Sequence, residues 1–496
     1  MKRHLNHLTL LISAFALGIL ATLFGWIIFL IISQNFPSQR LGELYIVEEY
    51  KPADLLIDTK EFDGEVKPLW AGLAQGGEEM YTNMLAGTED QIKQFYPRYV
   101  RLDHIFDDDY YQVVSGSSGN LQLNWTKLDE VVTSIKAMGA KPFFSLGYMP
   151  KALAASKIDQ PYNWSDWQWL VEQTIKHYSG EKGINNIYYE VWNEPDLESF
   201  GYWHNYGDKN YLTLYSAAAR GALAARQDSS VQAFKFGGPA TAALYKNWVE
   251  ALVNMTQNKN LPLDFISWHR YHYSPSQYGQ DLVDIGSWLE ENHDYKLIIS
   301  EWGPDPAKTE IYSGRLAAAH TVATSRQMLG QLDLACAFEI KDGPDQSNLG
   351  WGILTHNKAG LAAKPRFYAL SYLKNMVGPR LKLSGEGSNV TAWAVSNNNR
   401  IKVIAVNYTP NGGQEEEFPI EFTNLIPGQY RFKWETLTGQ NGDRIIIINK
   451  DQSIREYFSL ADNDILKLNL NKIETFENKE ASESGRVMFG DLINDN

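Results

Sequence analysis

The chain has 496 residues, 44% of them hydrophobic and 21% charged, which is enough apolar material for a sizeable core spread over two or three folding units. Its formal net charge of -14, with no basic stripe to offset it, argues against nucleic acid as a partner. The single cysteine, Cys336, excludes an intrachain disulfide and sits in the apolar run Leu332–Ile340, where a buried structural thiol is expected.

Residues Leu8–Ile32 form a 25-residue run without a charge, long enough to span a bilayer as a helix. No small-x-small cleavage site follows it, so an uncleaved N-terminal transmembrane helix is expected over 1–40. Lys2 and Arg3 ahead of the run predict a cytoplasmic N-terminus, a single-pass membrane protein and an extracytoplasmic remainder. Residues 41–68, and Glu43–Phe62 within them, read as a linker or as strands joining a later β-domain.

From residue 69 the pattern changes to short apolar runs, each followed by a polar turn and a helical pattern. Eight runs recur: Leu69–Leu73, Tyr99–Phe106, Lys141–Leu146, Ile187–Trp192, Ala233–Gly237, Phe265–Trp268, Leu297–Ser300 and Leu334–Ile340. Between them Trp125–Met138, Trp164–Tyr178, Tyr211–Ala225, Asn247–Asn254, Leu282–Asn292 and Gly314–Leu329 have helical spacing, and Lys364–Met376 follows the last run. Eight alternations predict an α/β fold, a closed (β/α)8 TIM barrel over 69–376. Over 377–471, six runs (Val390–Val395, Ile401–Tyr408, Phe418–Phe422, Tyr430–Glu435, Ile445–Asn449 and Ile465–Leu470) predict an accessory C-terminal β-sandwich. Residues 472–496 read as an acidic flexible tail.

In such a barrel the loops after the strands build the site, so polar residues at strand ends are the candidates. The fourth run ends Trp192-Asn193-Glu194-Pro195-Asp196, the sixth continues Trp268-His269-Arg270-Tyr271-His272, and the seventh ends Ser300-Glu301-Trp302-Gly303-Pro304. Strands four and seven face each other across the mouth of an eight-stranded barrel. A glutamate on each can therefore hold one sugar between a proton donor and a carboxylate. The bland reading of either glutamate alone is a helix cap or a partner for arginine. An apolar wall around Glu194 would raise its pKa and suit it to donate a proton, while a tyrosine such as Tyr271, or a cation, would keep Glu301 ionised as nucleophile. Asn193 can hold the hydroxyl beside the reacting carbon.

These motifs resemble clan A retaining glycosidases, and the string Glu190-Val191-Trp192-Asn193-Glu194-Pro195-Asp196 resembles glycoside hydrolase family 39, over roughly residues 69–470. That family includes β-xylosidases, α-L-iduronidases and exopolysaccharide hydrolases. The resemblance implies Glu194 as acid/base, Glu301 as nucleophile and Asn193 at the 2-hydroxyl. It implies His269 and Tyr271 lining the first sugar subsite and Arg101, in Val100-Arg101-Leu102-Asp103, supporting the nucleophile. It implies a carbohydrate substrate, oligo- or polysaccharide, and neither cofactor nor metal.

Two departures stand out. Asp103 occupies the place of the family's histidine, so a sugar hydroxyl contact is expected to change. At strand eight, Phe338-Glu339-Ile340-Lys341-Asp342 replaces an aromatic platform; the subsite floor is then charged, with Lys341 either pairing with Asp342 or Glu339 or meeting an acidic sugar. Trp302 and Trp351 can stack on sugars or pack in the wall. The glycines of Gly72–Glu79 either shape the pocket or serve a tight turn. His272 and His320 lack ligand-like spacing and read as structural. A carbohydrate-binding barrel without chemistry, and a transglycosylase on the same residues, are the competing functions.

Overall fold

The computed structural model describes residues 50–290, 294–344, 349–397, 399–449 and 453–473. The anchor expected over Leu8–Ile32 lies outside them, and so does the tail expected over 472–496 except for Lys472 and Ile473, which end the strand Asp464–Ile473. Among the described residues no helix is long and apolar enough to cross a membrane.

Eight parallel strands close into a barrel: Gly72–Gln75, Tyr99–Leu102, Lys141–Leu146, Tyr188–Val191, Lys235–Thr241, Phe265–Tyr271, Lys296–Gly303 and Leu334–Phe338, numbered one to eight below. Strand eight seals it by placing Cys336, Ala337 and Phe338 opposite Gly72, Leu73 and Ala74. Each predicted run overlaps one strand, but strands six and seven continue past the apolar residues. Glu301 stays opposite His269 and Gly303 opposite Tyr271, so the polar ends remain in the ladder. Strand one starts late, because Leu69–Ala71 is a turn of 3-10 helix.

Helices follow the strands. Tyr211–Arg226 buries Ala217, Ala218, Ala222 and Ala225, small residues that let it lie close to its neighbours, and Asn210 caps it by accepting from the Leu212 N–H. The pattern predicted as one helix over Trp164–Tyr178 is α-helical only to Ile175 and then widens into a π-turn over Lys176–Glu181. Inside the barrel, Tyr99, Phe143, Phe265, Ile298, Leu334 and Cys336 fill the end where the strands begin. Side chains alternate along a strand, so the residue two positions on points inward one layer higher. Arg101 therefore stands above Tyr99, and Glu190 above Tyr188.

The β-domain is one continuous sheet of nine strands. Their order is Asn441–Ile448, Gly428–Thr436, Asp464–Ile473, Arg400–Asn407, Val390–Asn397, Gly378–Ser384, Leu55–Val66, Glu416–Thr423 and Ile454–Leu460. The sheet folds over itself until its ends meet, with the Phe432 and Phe458 rings stacked 6.3 Å apart. Gly378–Ser384 and Ile454–Leu460 were not among the predicted strands. Leu55–Val66, from before the barrel, pairs antiparallel with Gly378–Ser384 and parallel with Glu416–Thr423.

The sheet shares a core with the barrel. Val403 and Ala405 face its interior while Ile404 and Val406 pack with the barrel residues. Both faces of that strand are covered, which explains its unbroken apolar run. Tyr408 donates to the Tyr273 carbonyl at 2.7 Å, tying the sheet to the loop after strand six.

Candidate active site

Strand four ends in two residues with left-handed backbone, Trp192 (φ 73) and Glu194 (φ 40). The bend is held from both sides: the Trp192 N–H donates to the Leu146 carbonyl at 3.2 Å and the Glu194 N–H to the Ala240 carbonyl at 2.9 Å. The Trp192 ring turns outward into a buried aromatic cluster with Trp167, Trp203 and Tyr148. Asn193 and Glu194 are left on the wall of a cavity of about 220 Å³ at the barrel mouth, together with Asp103, His104, Phe200, Tyr271, Glu301, Phe338 and Trp351.

One Glu194 oxygen, one Glu301 oxygen and a His269 ring nitrogen lie within 4.8 Å of one another. His269 Nδ1 is 2.9 Å from Glu194 Oε1 and 3.5 Å from Glu301 Oε2. Glu301 Oε1 accepts from Arg101 Nη1 at 2.7 Å and Oε2 from the Tyr271 hydroxyl at 2.8 Å. Arg101 also donates from Nε to Glu190 Oε2 at 2.7 Å and from Nη2 to Asn193 Oδ1 at 2.8 Å. One planar guanidinium thus fixes three side chains from two strands. The Asn193 amide then donates to the Tyr148 hydroxyl at 3.2 Å, which donates to Asp103 Oδ2 at 3.3 Å.

Burial pushes the Glu301 carboxyl up, opposed by His269 and Arg101 and reinforced by the charges of Glu194 and Asp103. The Arg101 and Tyr271 hydrogen bonds address its charged form and keep it usable as a carboxylate. Burial alone would depress His269, but Glu301 and Glu194 outweigh it and hold the imidazole above its usual pKa. The Tyr271 hydroxyl is driven well up, first by burial and then by Glu301, so it stays a donor. Three potential metal donors converge here, yet both Glu301 oxygens already accept hydrogen bonds and a cation would sit beside the guanidinium. The arrangement suits a proton and a neutral polar ring.

The profile of the family described as "Glycosyl hydrolases family 39" matches residues 64–411, the whole barrel and the start of the sheet domain. The chain belongs to this family. As a family 39 member it is an O-glycosyl hydrolase. It is similar to a β-xylosidase of Caldicellulosiruptor saccharolyticus, 26% identical over 400 residues that make up 73% of this chain and 79% of the relative. A match to a β-xylosidase of Geobacillus stearothermophilus, 29% identical, spans only 36% of that relative's length and 35% of this chain. Among solved structures, a monomeric β-xylosidase from Caulobacter crescentus CB15 superposes with a TM-score of 0.72 at 19% identity, over 85% of this chain and 100% of the other. A family 39 enzyme from Xanthomonas axonopodis pv. citri does so with 0.71 at 19%, over 87% and 100%. These two likenesses bear on the fold.

In this glycosidase several expected contacts fall elsewhere. Lys341 does not reach the cavity: its ammonium donates to Asn357 Oδ1 at 2.7 Å, and its N–H to Gln75 Oε1 at 3.0 Å. It pairs with neither Asp342 nor Glu339, since Asp342 is taken by Lys364 at 2.5 Å. Glu339 turns toward strand one, where Oε2 accepts from Gln75 Nε2 at 2.9 Å and the Gly76 N–H at 3.2 Å. From strand eight and the loop after it, the residues that line the cavity are therefore the aromatic Phe338 and Trp351, edge to face at 5.4 Å. Trp302 is wholly buried in the wall under the Arg366 guanidinium, 5.1 Å away, and offers no face to a sugar. Strand alternation explains this, because Trp302 points opposite to Glu301.

At strand two, Asp103 lines the cavity, and so does its neighbour His104, whose left-handed backbone (φ 59) swings the imidazole to within 3.1 Å of Asp107. Gly76 and Gly77 line it too. A Cβ on Gly77 would come within 2.6 Å of the His104 ring, so close approach is what that glycine provides.

Sequence reasoning gave no role to Glu190, His104, Tyr148 or Phe200. Glu190 had a signal: it lies two positions after Tyr188, on the inward face of a strand in a parallel barrel, where a charge demands a buried partner.

Proposed function

We propose that this family 39 glycosidase cleaves β-glycosides, β-xylosides foremost, with retention of configuration, Glu194 acting as acid/base and Glu301 as nucleophile. The observation carrying the proposal is that carboxyl oxygens of Glu194 and Glu301 approach within 4.8 Å. Retention needs the carboxyl groups about 5–5.5 Å apart, whereas inversion needs about 6.5–9.5 Å to admit a water. The matched β-xylosidases support the choice of sugar.

In the first step Glu301 attacks the anomeric carbon while Glu194 delivers its proton to the departing oxygen. In the second, Glu194 takes a proton from water, which attacks the same carbon and frees Glu301. Asn193, held by Arg101, takes the 2-hydroxyl in this reading, which is supported by its place on the cavity wall beside Glu194, and His269 lies within 3.5 Å of both carboxyls. Phe338 and Trp351 offer apolar faces to the ring.

Proton NMR of p-nitrophenyl β-xyloside hydrolysis tests this. The β-anomer of xylose should appear first; α-xylose as first product would refute the double displacement. Glu301→Gln should abolish turnover while leaving sugar binding largely intact.

We also propose that Leu8–Ile32 anchors the enzyme with its barrel outside the cytoplasm, a reading that rests on the 25-residue uncharged run. Membrane fractionation of the full chain tests it: recovery in the soluble fraction, without detergent, would refute the anchor.

A further inference from the structure

The loop between strand four and the helix Tyr211–Arg226 carries aromatic rings that the site does not use. Tyr202 is 57% exposed and Tyr206 72% exposed, with half-buried His204 between them. The three rings touch in series: Tyr202 meets His204 edge-on at 4.6 Å, and His204 stacks on Tyr206 at 5.3 Å and 18°. Burial does not account for them, because the residue that anchors this loop is Trp203. Its N–H donates to the Pro195 carbonyl at 2.7 Å, its fully buried ring packs on Trp192 at 5.3 Å, and Lys209 lies over it.

The loop is also braced. The His204 N–H donates to the Lys209 carbonyl at 3.0 Å, and the Tyr211 N–H to the His204 carbonyl at 2.7 Å. Gly201, at φ 115, has room for no side chain, since a Cβ there would meet the Ile158 carbonyl at 2.7 Å. Exposed rings scattered singly would mean little, but three in contact on a braced loop form a contiguous patch of the kind that marks a binding surface.

Position names the ligand. The Leu197 N–H donates to the Glu194 carbonyl at 3.0 Å and the Tyr202 N–H to the Leu197 carbonyl at 2.9 Å, so the strip begins two hydrogen bonds from Glu194. Phe200, on the same loop, lines the cavity beside Glu194. Glu194 protonates the departing oxygen in the reading given above, on which this inference rests, so its side of the cavity is where the leaving group exits. We propose that Tyr202, His204 and Tyr206 form a stacking strip for successive sugar units on the leaving-group side, and that the enzyme acts on carbohydrate chains rather than on disaccharides.

The test is kcat/KM for the whole protein on β-1,4-xylo-oligosaccharides of two to six units, with p-nitrophenyl β-xyloside as a reference that lacks those units. The wild type should gain about tenfold with length. Tyr202→Ala and Tyr206→Ala should each lose about 2- to 10-fold more on the six-unit chain than on the reference. Equal losses on both substrates, or an unchanged length profile, would overturn the strip. If no xyloside is turned over, the xylose reading fails separately. Native-gel retardation in soluble arabinoxylan, galactomannan and β-glucan then decides: slowing of the wild type that the double variant loses supports the strip, and equal mobility in all three overturns it.

Discussion

Arg101 donates to Glu301 across 2.7 Å, with the guanidinium side chain 1% and the carboxylate side chain 9% exposed. The same guanidinium holds Glu190, which is fully buried. One guanidinium therefore pairs with two carboxylates, and the position of Glu301, the proposed nucleophile, depends on a residue that does not line the cavity.

Replacing Arg101 with Met leaves the buried Glu190 carboxylate unpaired and Glu301 with only His269 and Tyr271, which costs about 3–5 kcal/mol. Urea unfolding should show that loss, and pairing the change with Glu190→Gln should recover part of it. Arg101→Lys keeps the charge but not the fork, so it should fold while kcat falls roughly 100-fold as Glu301 and Asn193 lose their alignment.

Tyr271→Phe removes the hydroxyl that reaches Glu301 Oε2 at 2.8 Å. A hydrogen bond to a charged group is worth about 1.5–3 kcal/mol, so kcat should drop roughly 10- to 100-fold. That bond favours the ionised carboxylate. Its loss should move the acidic limb of the kcat/KM profile to higher pH, and an unmoved limb would mean that Tyr271 does not tune Glu301.

Lys341→Ala should leave the preference between neutral and uronic-acid aryl glycosides within about twofold of wild type, because the ammonium is bound to Asn357 behind the cavity wall. A changed preference would place Lys341 back in the site.

His320 is wholly buried, its Nε2 2.9 Å from the His272 carbonyl, and burial depresses its pKa to about 3. Unfolded, it titrates near about 6.5. Between those values the unfolded chain binds the extra proton, so stability falls as pH drops below about 6.5, approaching 1.4 kcal/mol per unit, until about pH 3. Urea unfolding from pH 7 to 4.5 should decline less steeply in His320→Gln, although that variant starts less stable.

Strand period and spacing carried much of this protein into view from its sequence. Lys141–Leu146 was legible to the residue, because an apolar run flanked by polar turns has few other outcomes in a repeated β-α pattern. Glu194, Glu301, Asn193, His269 and Tyr271 were singled out because each stands at or just past the end of such a run, where barrel loops open, whereas Arg101, inside its run, came only from the family resemblance. That Leu55–Val66 joins the later β-domain was legible as one of two alternatives, but its partner Gly378–Ser384, which alternates weakly and contains a Pro, was not.

What the sequence determined by itself was therefore local: which segments are strands and helices, and which face a strand residue takes. Tertiary structure decided which side chains meet. Trp302 follows Glu301 in the chain and yet points away from the cavity, and Lys341 does not reach it, while Phe338 and Trp351 both line it and His104 enters through a left-handed turn. Alternation sends neighbours along a strand to opposite faces, and closing the barrel brings distant strands to one mouth, so proximity along the chain is a poor guide to proximity in the site.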